Sequence, residues 1–154
     1  MLLKPAIRFP QNADQVVGAY HRYLESVAEW SDMLPTEANA RAFSDLLLIP
    51  AWKRKEPILF ASVGTRIIGA TFTTLPDDRI QYRVPFASGH GTWVAPDCRN
   101  KGVARALLAR VREMLREKGI RRQVGMVHGG NDVSRASFMK MGFVIDGIVL
   151  RSDL

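Results

Sequence analysis

The stretch Trp93-Val-Ala-Pro-Asp-Cys-Arg99-Asn-Lys-Gly102-Val-Ala104-Arg-Ala-Leu-Leu108 gathers residue types that could hold an anion. Arg99 and Lys101 bring positive charge, and Gly102 and Ala104 leave room for a phosphate to approach the backbone. Trp93 and Val94 are strand formers, and Pro96 and Asp97 stop a strand. From Val103 onward, apolar residues at 103, 104, 107, 108, 111 and 115 trace one buried helix face. The segment from Arg99 to Ala104 therefore sits at a helix N-terminus, where unpaired N–H groups and the positive end of the dipole attract negative charge. The same spacing also describes an ordinary strand-to-helix turn, so the loop alone leaves both readings open.

The rest of the chain must place that loop. At 154 residues the chain is expected to form one domain over 1–154 and to bury about two-thirds of its unfolded surface. Hydrophobic residues at 47% and charged residues at 24% place it among globular rather than disordered proteins. No apolar run reaches the roughly 20 residues of a membrane span, and the start Met-Leu-Leu-Lys-Pro lacks the pattern of a signal peptide. A single cysteine, Cys98, excludes an intrachain disulfide and fits a reducing, cytoplasmic setting. The net charge of +7 raises nucleic acid as a partner. Much of that charge lies in Arg99, Lys101, Arg105, Arg110, Arg112, Arg116, Lys118, Arg121 and Arg122, next to the anion loop, so a polyphosphate ligand accounts for part of it. With no aromatic-rich basic strand and no zinc-finger spacing, nucleic acid is the lesser reading, and no metal site is expected.

In chain order, Ala6 to Phe9 reads as a short strand closed by Pro10. Asn12 caps a helix carrying Val16, Val17, Tyr20, Tyr23, Leu24 and Val27 to about Trp30, with Gln15 three residues after the cap. Pro35-Thr36 starts a second helix, with Ala40, Phe43, Leu46 and Leu47 as its apolar face and Pro50 as its end. Runs 57–62 and 66–74, joined by Val63-Gly64-Thr65, form a hairpin. Ile80 to Val94, with Pro85 and Gly89-His90-Gly91, reads as a broken or bulged strand. Helix 101–118 ends at Gly119, a strand spans 121–127, and Asn131 or Asp132 caps a short helix ending at Met141-Gly142-Phe143. Val144 to Arg151 holds one or two last strands.

The resulting order, β-α-α-β-β-β-α-β-α-β, is a mixed α/β layer fold. Arg99-x-x-Gly102-x-Ala104 after Val94-x-Pro96 resembles the Arg/Gln-x-x-Gly-x-Gly/Ala loop of the GNAT superfamily of acyl-CoA-dependent N-acyltransferases. Asn131-x-x-Ser134-x-x-Ser137-Phe138-x-Lys140-Met141-Gly142-Phe143 resembles that family's C-terminal motif, in register. The resemblance implies an α+β fold with a mixed, mostly antiparallel sheet, a splayed central strand pair and helices on both faces. It also implies acetyl-CoA or coenzyme A as co-substrate and direct acetyl transfer to a primary amine. In that reading, the loop amides of Arg99, Asn100, Lys101, Gly102, Val103 and Ala104 hold the pyrophosphate, and Asn131 contacts the cofactor arm.

The Val94 amide, on the splayed strand, is then the expected oxyanion donor. A base sits nine or eleven residues before the loop Arg in this family, at His90 or Ser88, and on a regular strand both share a face with Val94. His90 leads, because its ordinary pKa is near 6.5 and its flanking glycines leave space for substrate. A structural histidine beside a bulge is the competing reading. His128 is the second candidate base, Cys98 reads as loop filler, and His21 as surface. Phe138 departs from the family, since the usual tyrosine that protonates the departing thiolate has no hydroxyl here. Tyr20, Tyr23, Trp30 and Met33 are candidates for lining an acceptor pocket, and no residue among them names the acceptor. The acceptor is then a small amine or a protein amine, and a homodimer is among the expected assemblies. Two alternatives stay open: a CoA-binding regulatory module without turnover, and an acyltransferase acting on a nucleic-acid-associated acceptor.

Overall fold

The computed structural model describes residues 1–147 and 150–152. Among these residues, five strands form one sheet in the order β1-β2-β3-β4-β5. They are β1 (Ala6–Arg8), β2 (Ile58–Val63), β3 (Arg66–Thr74), β4 (Phe86–Val94) and β5 (Arg122–Gly125). The first four run antiparallel, and β5 lies parallel to β4. Helices α1 (Ala13–Val27), α2 (Glu37–Phe43) and α3 (Ile49–Lys53) precede the hairpin, α4 (Val103–Glu117) links β4 to β5, and α5 (Asp132–Lys140) follows. The mixed sheet with helices on both faces is the expected fold class.

Local chemistry accounts for most boundaries. Asn12 Oδ1 accepts from the Gln15 N–H at 2.9 Å and starts α1, and Thr36 Oγ1 accepts from the Asn39 N–H at 3.2 Å and starts α2. Val16, Val17, Tyr20, Leu24 and Val27 are buried, as their spacing predicts, but α1 ends at Val27 rather than near Trp30. On the opposite face α4 buries Val103, Leu107, Leu108, Val111, Met114 and Leu115. It packs close to β3: a methyl placed on Gly69 would lie 3.0 Å from Val103 Cγ1.

Four readings need correction. The second helix does not end at Pro50: a π-helical turn, Ser44–Leu48, carries it on into α3. Proline lacks the N–H that an α-ladder would require and crowds the carbonyl four residues back. The π turn instead runs a bond from Ile49 N–H to Ser44 O, and Pro50 opens a fresh turn where no donor is needed. The extra residue rotates the apolar face, so Leu46 stands 80% exposed while Leu48, Ile49 and Ala51 are buried. The strand expected from Ile80 begins only at Phe86, and that expected over 121–127 spans Arg122–Gly125. Finally, 144–147 and 150–152 form no strand, while Ile148 and Val149 of the expected last strands lie outside the described residues. No helix among the described residues is long and apolar enough to cross a membrane.

Candidate active site

The site is built where β4 parts from β5. The two strands pair only from Phe86–Arg122 to Gly89–Gly125, and past Gly89 no described strand follows β4 on that side. On its other side β4 stays paired with β3 to Val94. Ala95 N–H donates to Ile68 O at 2.9 Å, so the antiparallel alternation turns the N–H and C=O of Val94 away from β3, into the opening. Arg99 Nε donates to that Val94 carbonyl at 3.3 Å, which leaves the Val94 N–H as a donor facing the gap.

A bulge sits at the mouth of the split. Phe72 pairs with Gly91 and Thr73 with Gly89, so His90 is the extra residue of β4 and has no partner on β3. The strand is therefore not regular, and the shared face expected for His90 and Val94 is lost. Val94 pairs with Gly69, on the face covered by α4, whereas the His90 ring meets Phe43 of α2 at 5.8 Å, ring to ring. Its Nε2 lies 2.9 Å from Thr74 Oγ1 on β3. Burial pushes the His90 pKa below its ordinary value, so the ring is neutral near pH 7. Ser88, the other expected position, lies within the paired part of β4, opposite Thr74 and Val124.

Beside the bulge, Gly91 packs against a residue of α1. Gly91 has φ of 143°, and a methyl there would lie 2.5 Å from Tyr23 Cζ, so the Tyr23 ring occupies the place of a side chain. Tyr20 is core, stacked on Phe43 at 4.6 Å, and Tyr23 is half-buried beside it at 5.5 Å. Burial raises the pKa of both phenols, so neither ionises near neutrality. Trp30 meets the loop after β5, where its Cδ1 would lie 3.3 Å from a methyl on Gly130. Met33 is exposed.

The anion loop lies at the top of the split. Pro96–Cys98 forms a single 3-10 turn, followed by left-handed residues at Asn100 (φ 58°) and Gly102 (φ 84°). Gly102 is the N-cap of α4 and offers no side-chain acceptor, and no acidic residue stands in the first turn. The caps of α1, α2 and α5 are the side chains of Asn12, Thr36 and Asn131, with Asp14, Glu37 and Asp132 in the first turns. The first intrahelical bond of α4 runs from Ala106 N–H to Gly102 O, so the amides of Val103, Ala104 and Arg105 remain free of the helix ladder. Lys101 Nζ donates to Asp97 O at 2.8 Å and Arg66 holds the Asp97 carboxylate with two bonds of 2.8 Å, which fixes the loop against β3. Cys98 is buried beneath it.

The C-terminal motif follows β5 and packs against Arg112 of α4. Asn131 caps α5 through Oδ1, which accepts from the Ser134 N–H at 3.1 Å, and its amide nitrogen can still donate to a ligand. Phe138 packs edge-on against Phe143 at 5.1 Å, and Ser137 is exposed. His128, half-buried in the loop after β5, shares no hydrogen bond with His90. His21 is not a plain surface residue: its Nε2 lies 3.1 Å from Pro35 O, tying α1 to the link that follows it. Nothing in the sequence marks Thr74 or Phe43 as neighbours of His90, because they come from β3 and α2 and meet the ring only in the fold.

The sequence model of the acetyltransferase (GNAT) family matches residues 24–143. No curated protein matches the chain. Among solved structures, the chain is similar to AAC(6')-Iy in complex with the bisubstrate analogue CoA-S-monomethyl-acetylneamine, at 17% identity and TM-score 0.67, covering 99% of each chain. It is likewise similar to an acetyltransferase of Trypanosoma brucei, at 17% identity and TM-score 0.65, covering 98% of this chain and 100% of that one. A transcriptional regulator from Bacillus halodurans C-125 shares 16% identity with TM-score 0.74, over 98% of this chain and 100% of that one. At such identities the likeness establishes the fold.

Proposed function

Because the chain belongs to the acetyltransferase (GNAT) family, we propose that it transfers an acetyl group from acetyl-CoA to a primary amine by direct attack, as one domain over 1–154. The observation that carries this reading is the uncapped start of α4 at the top of the β4–β5 split. Free amides, a helix dipole with no carboxylate to offset it, and Arg99, Lys101 and Arg105 nearby suit a pyrophosphate. The loop 99–104 would hold that group, and Asn131 would donate to the pantetheine arm lying in the split. The Val94 N–H, aimed into the same gap, would stabilise the oxyanion that forms as the amine attacks. His90, neutral at pH 7, would take the amine proton, with His128 as the second candidate. Phe138 supplies no acid, and the thiolate can leave without one, since an ordinary thiol pKa is about 8.5.

The test has two arms. Gly102→Leu forces a branched side chain into the left-handed cap and into the space a phosphate needs. Calorimetry should show loss of CoA binding in a variant that remains folded, and wild-type affinity would sink the reading. A thiol-release assay across an amine panel then identifies the acceptor. The panel should include aminoglycosides, because the similar AAC(6')-Iy is an aminoglycoside N-acetyltransferase, and peptide amines. Phe138 in place of tyrosine favours one second reading, a CoA-binding module without turnover; CoA binding with no turnover on any amine would support it.

A further inference from the structure

His90 meets one polar side chain, and the chemistry of imidazole makes the direction of that contact decisive. The neutral ring carries one N–H and one lone pair, on different nitrogens. If the Thr74 hydroxyl donated to Nε2, the lone pair would be consumed inside the protein and the proton would sit on Nδ1. If Thr74 accepts from Nε2–H, the lone pair is on Nδ1. Thr74 is 6% exposed and held on β3, so the 2.9 Å contact fixes the ring rather than following it. Phe43 closes the ring from α2 and brings no charge. Of the titratable groups nearby, the Tyr23 phenol lies over Gly91. The buried Glu56 carboxylate, at the end of β3, is committed to Arg54 Nε at 2.7 Å and the Leu75 N–H at 2.9 Å. Neither hydrogen-bonds to His90.

We propose that Thr74 is a positioning residue for His90: its hydroxyl accepts from Nε2–H, fixing the tautomer and plane of the ring and leaving Nδ1 to take the proton of the attacking amine. This rests on the reading of His90 as the base. In the step itself the amine nitrogen bonds to the acyl carbon and the C–S bond breaks. Its electron pair leaves on sulfur, and the amine proton passes to Nδ1 and from there to solvent.

Thr74→Val keeps the shape and removes the hydroxyl, while Thr74→Ser keeps the hydroxyl. Thr74→Val should lower kcat about 10- to 100-fold, the scale of a misplaced catalytic group, with the KM for acetyl-CoA unchanged and most of the rate restored in Thr74→Ser. The acid limb of its pH–rate profile should move to lower pH, because the imidazolium loses its acceptor. Nitrogen-15 NMR of the imidazole should show Nε2–H in the wild type and a tautomer mixture in Thr74→Val, and Thr74→Val should cost nothing further on a His90→Ala background. Loss of His90 alone should cost roughly 10²–10⁴-fold, the usual range for general-base catalysis. If that loss is seen but Thr74→Val keeps the wild-type rate and profile, or the wild type shows Nδ1–H, the assignment of Thr74 is overturned and the base reading stands. If His90→Ala keeps the wild-type rate, the base reading fails and Thr74 falls with it.

Discussion

Replacing Gly91 by alanine tests the link between the packing of α1 and the site. A methyl at this position would lie 2.5, 2.6 and 2.7 Å from Cζ, Cε2 and Cε1 of Tyr23, closer than real side chains approach. The ring must move by about 1 Å, but it is wedged beside Tyr20 at 5.5 Å and Phe72 at 6.4 Å. Overpacking of this kind costs about 1–3 kcal/mol. The φ of 143° adds a backbone penalty of about 1–3 kcal/mol, because only glycine enters that region freely. The midpoint of the two together is about 4 kcal/mol, which for a chain of this size lowers the melting temperature by roughly 8–16 °C. Tyr23→Leu removes the three crowding atoms without emptying the site, so on that background Gly91→Ala should cost only the backbone part. The coupling measured by the double-mutant cycle is then about 2 kcal/mol. Thermal unfolding of the four proteins gives the number. A Gly91→Ala melting point within about 2 °C of wild type, or a cycle with no coupling, would refute the account of how the bulge is held.

Three further outcomes follow from the geometry. Helix α5 buries no side chain and is held to α4 by Arg112, which donates to Met141 O at 2.7 Å and stacks over Phe143 at 5.0 Å. Arg112→Ala should speed hydrogen exchange over 132–140 and raise the KM for acetyl-CoA, and Arg112→Lys should not rescue it, because lysine lacks the planar fork. Phe138→Tyr should leave the rate unchanged or raise it while Ser137→Ala is nearly silent; a large loss in Ser137→Ala with CoA affinity intact would make that serine the acid. His90 has a folded pKa depressed below its unfolded value near 6.5. The unfolded chain therefore binds the proton first, so the His90 contribution is complete above about pH 6.5 and is lost as pH falls toward the folded value. Melting temperature should thus fall less steeply on acidification in His90→Gln than in the wild type, and parallel slopes would show that burial does not depress this histidine.

What the sequence disclosed and what it withheld divide by the range of the interactions. Helix starts at Asn12, Thr36 and Asn131 were legible because a cap is a bond between residues three apart. Stops at Gly119 and Gly142 were legible for the same reason, and both glycines are left-handed. The anion loop could be read because Arg99, Gly102 and Ala104 are neighbours in the chain. The faces of β4 could not, because the bulge at His90 is decided by Phe72 on another strand and by the Tyr23 ring. The π turn was equally hidden. Pro50 signals a break in an α-ladder, and whether the chain stops there or shifts its bonds by one residue depends on the burial waiting for Leu48, Ile49 and Ala51.

The π turn and the bulge meet at one contact. Phe43 is the last residue before the π turn, and its ring stacks on Tyr20 and meets His90, the extra residue of the bulge. The bulge and the π turn both cost backbone regularity, and the His90 imidazole lies between Phe43 and Thr74 near the point where β4 leaves β5. Strained or irregular backbone of this kind persists where its surroundings over-determine it, and it concentrates at functional sites. The bulge does so here because Tyr23 fills the place of a Gly91 side chain while Thr74 fixes the ring next to it. We propose His90 rather than His128 as the base because Thr74 and Phe43 hold its ring, whereas His128 sits in the loop after β5.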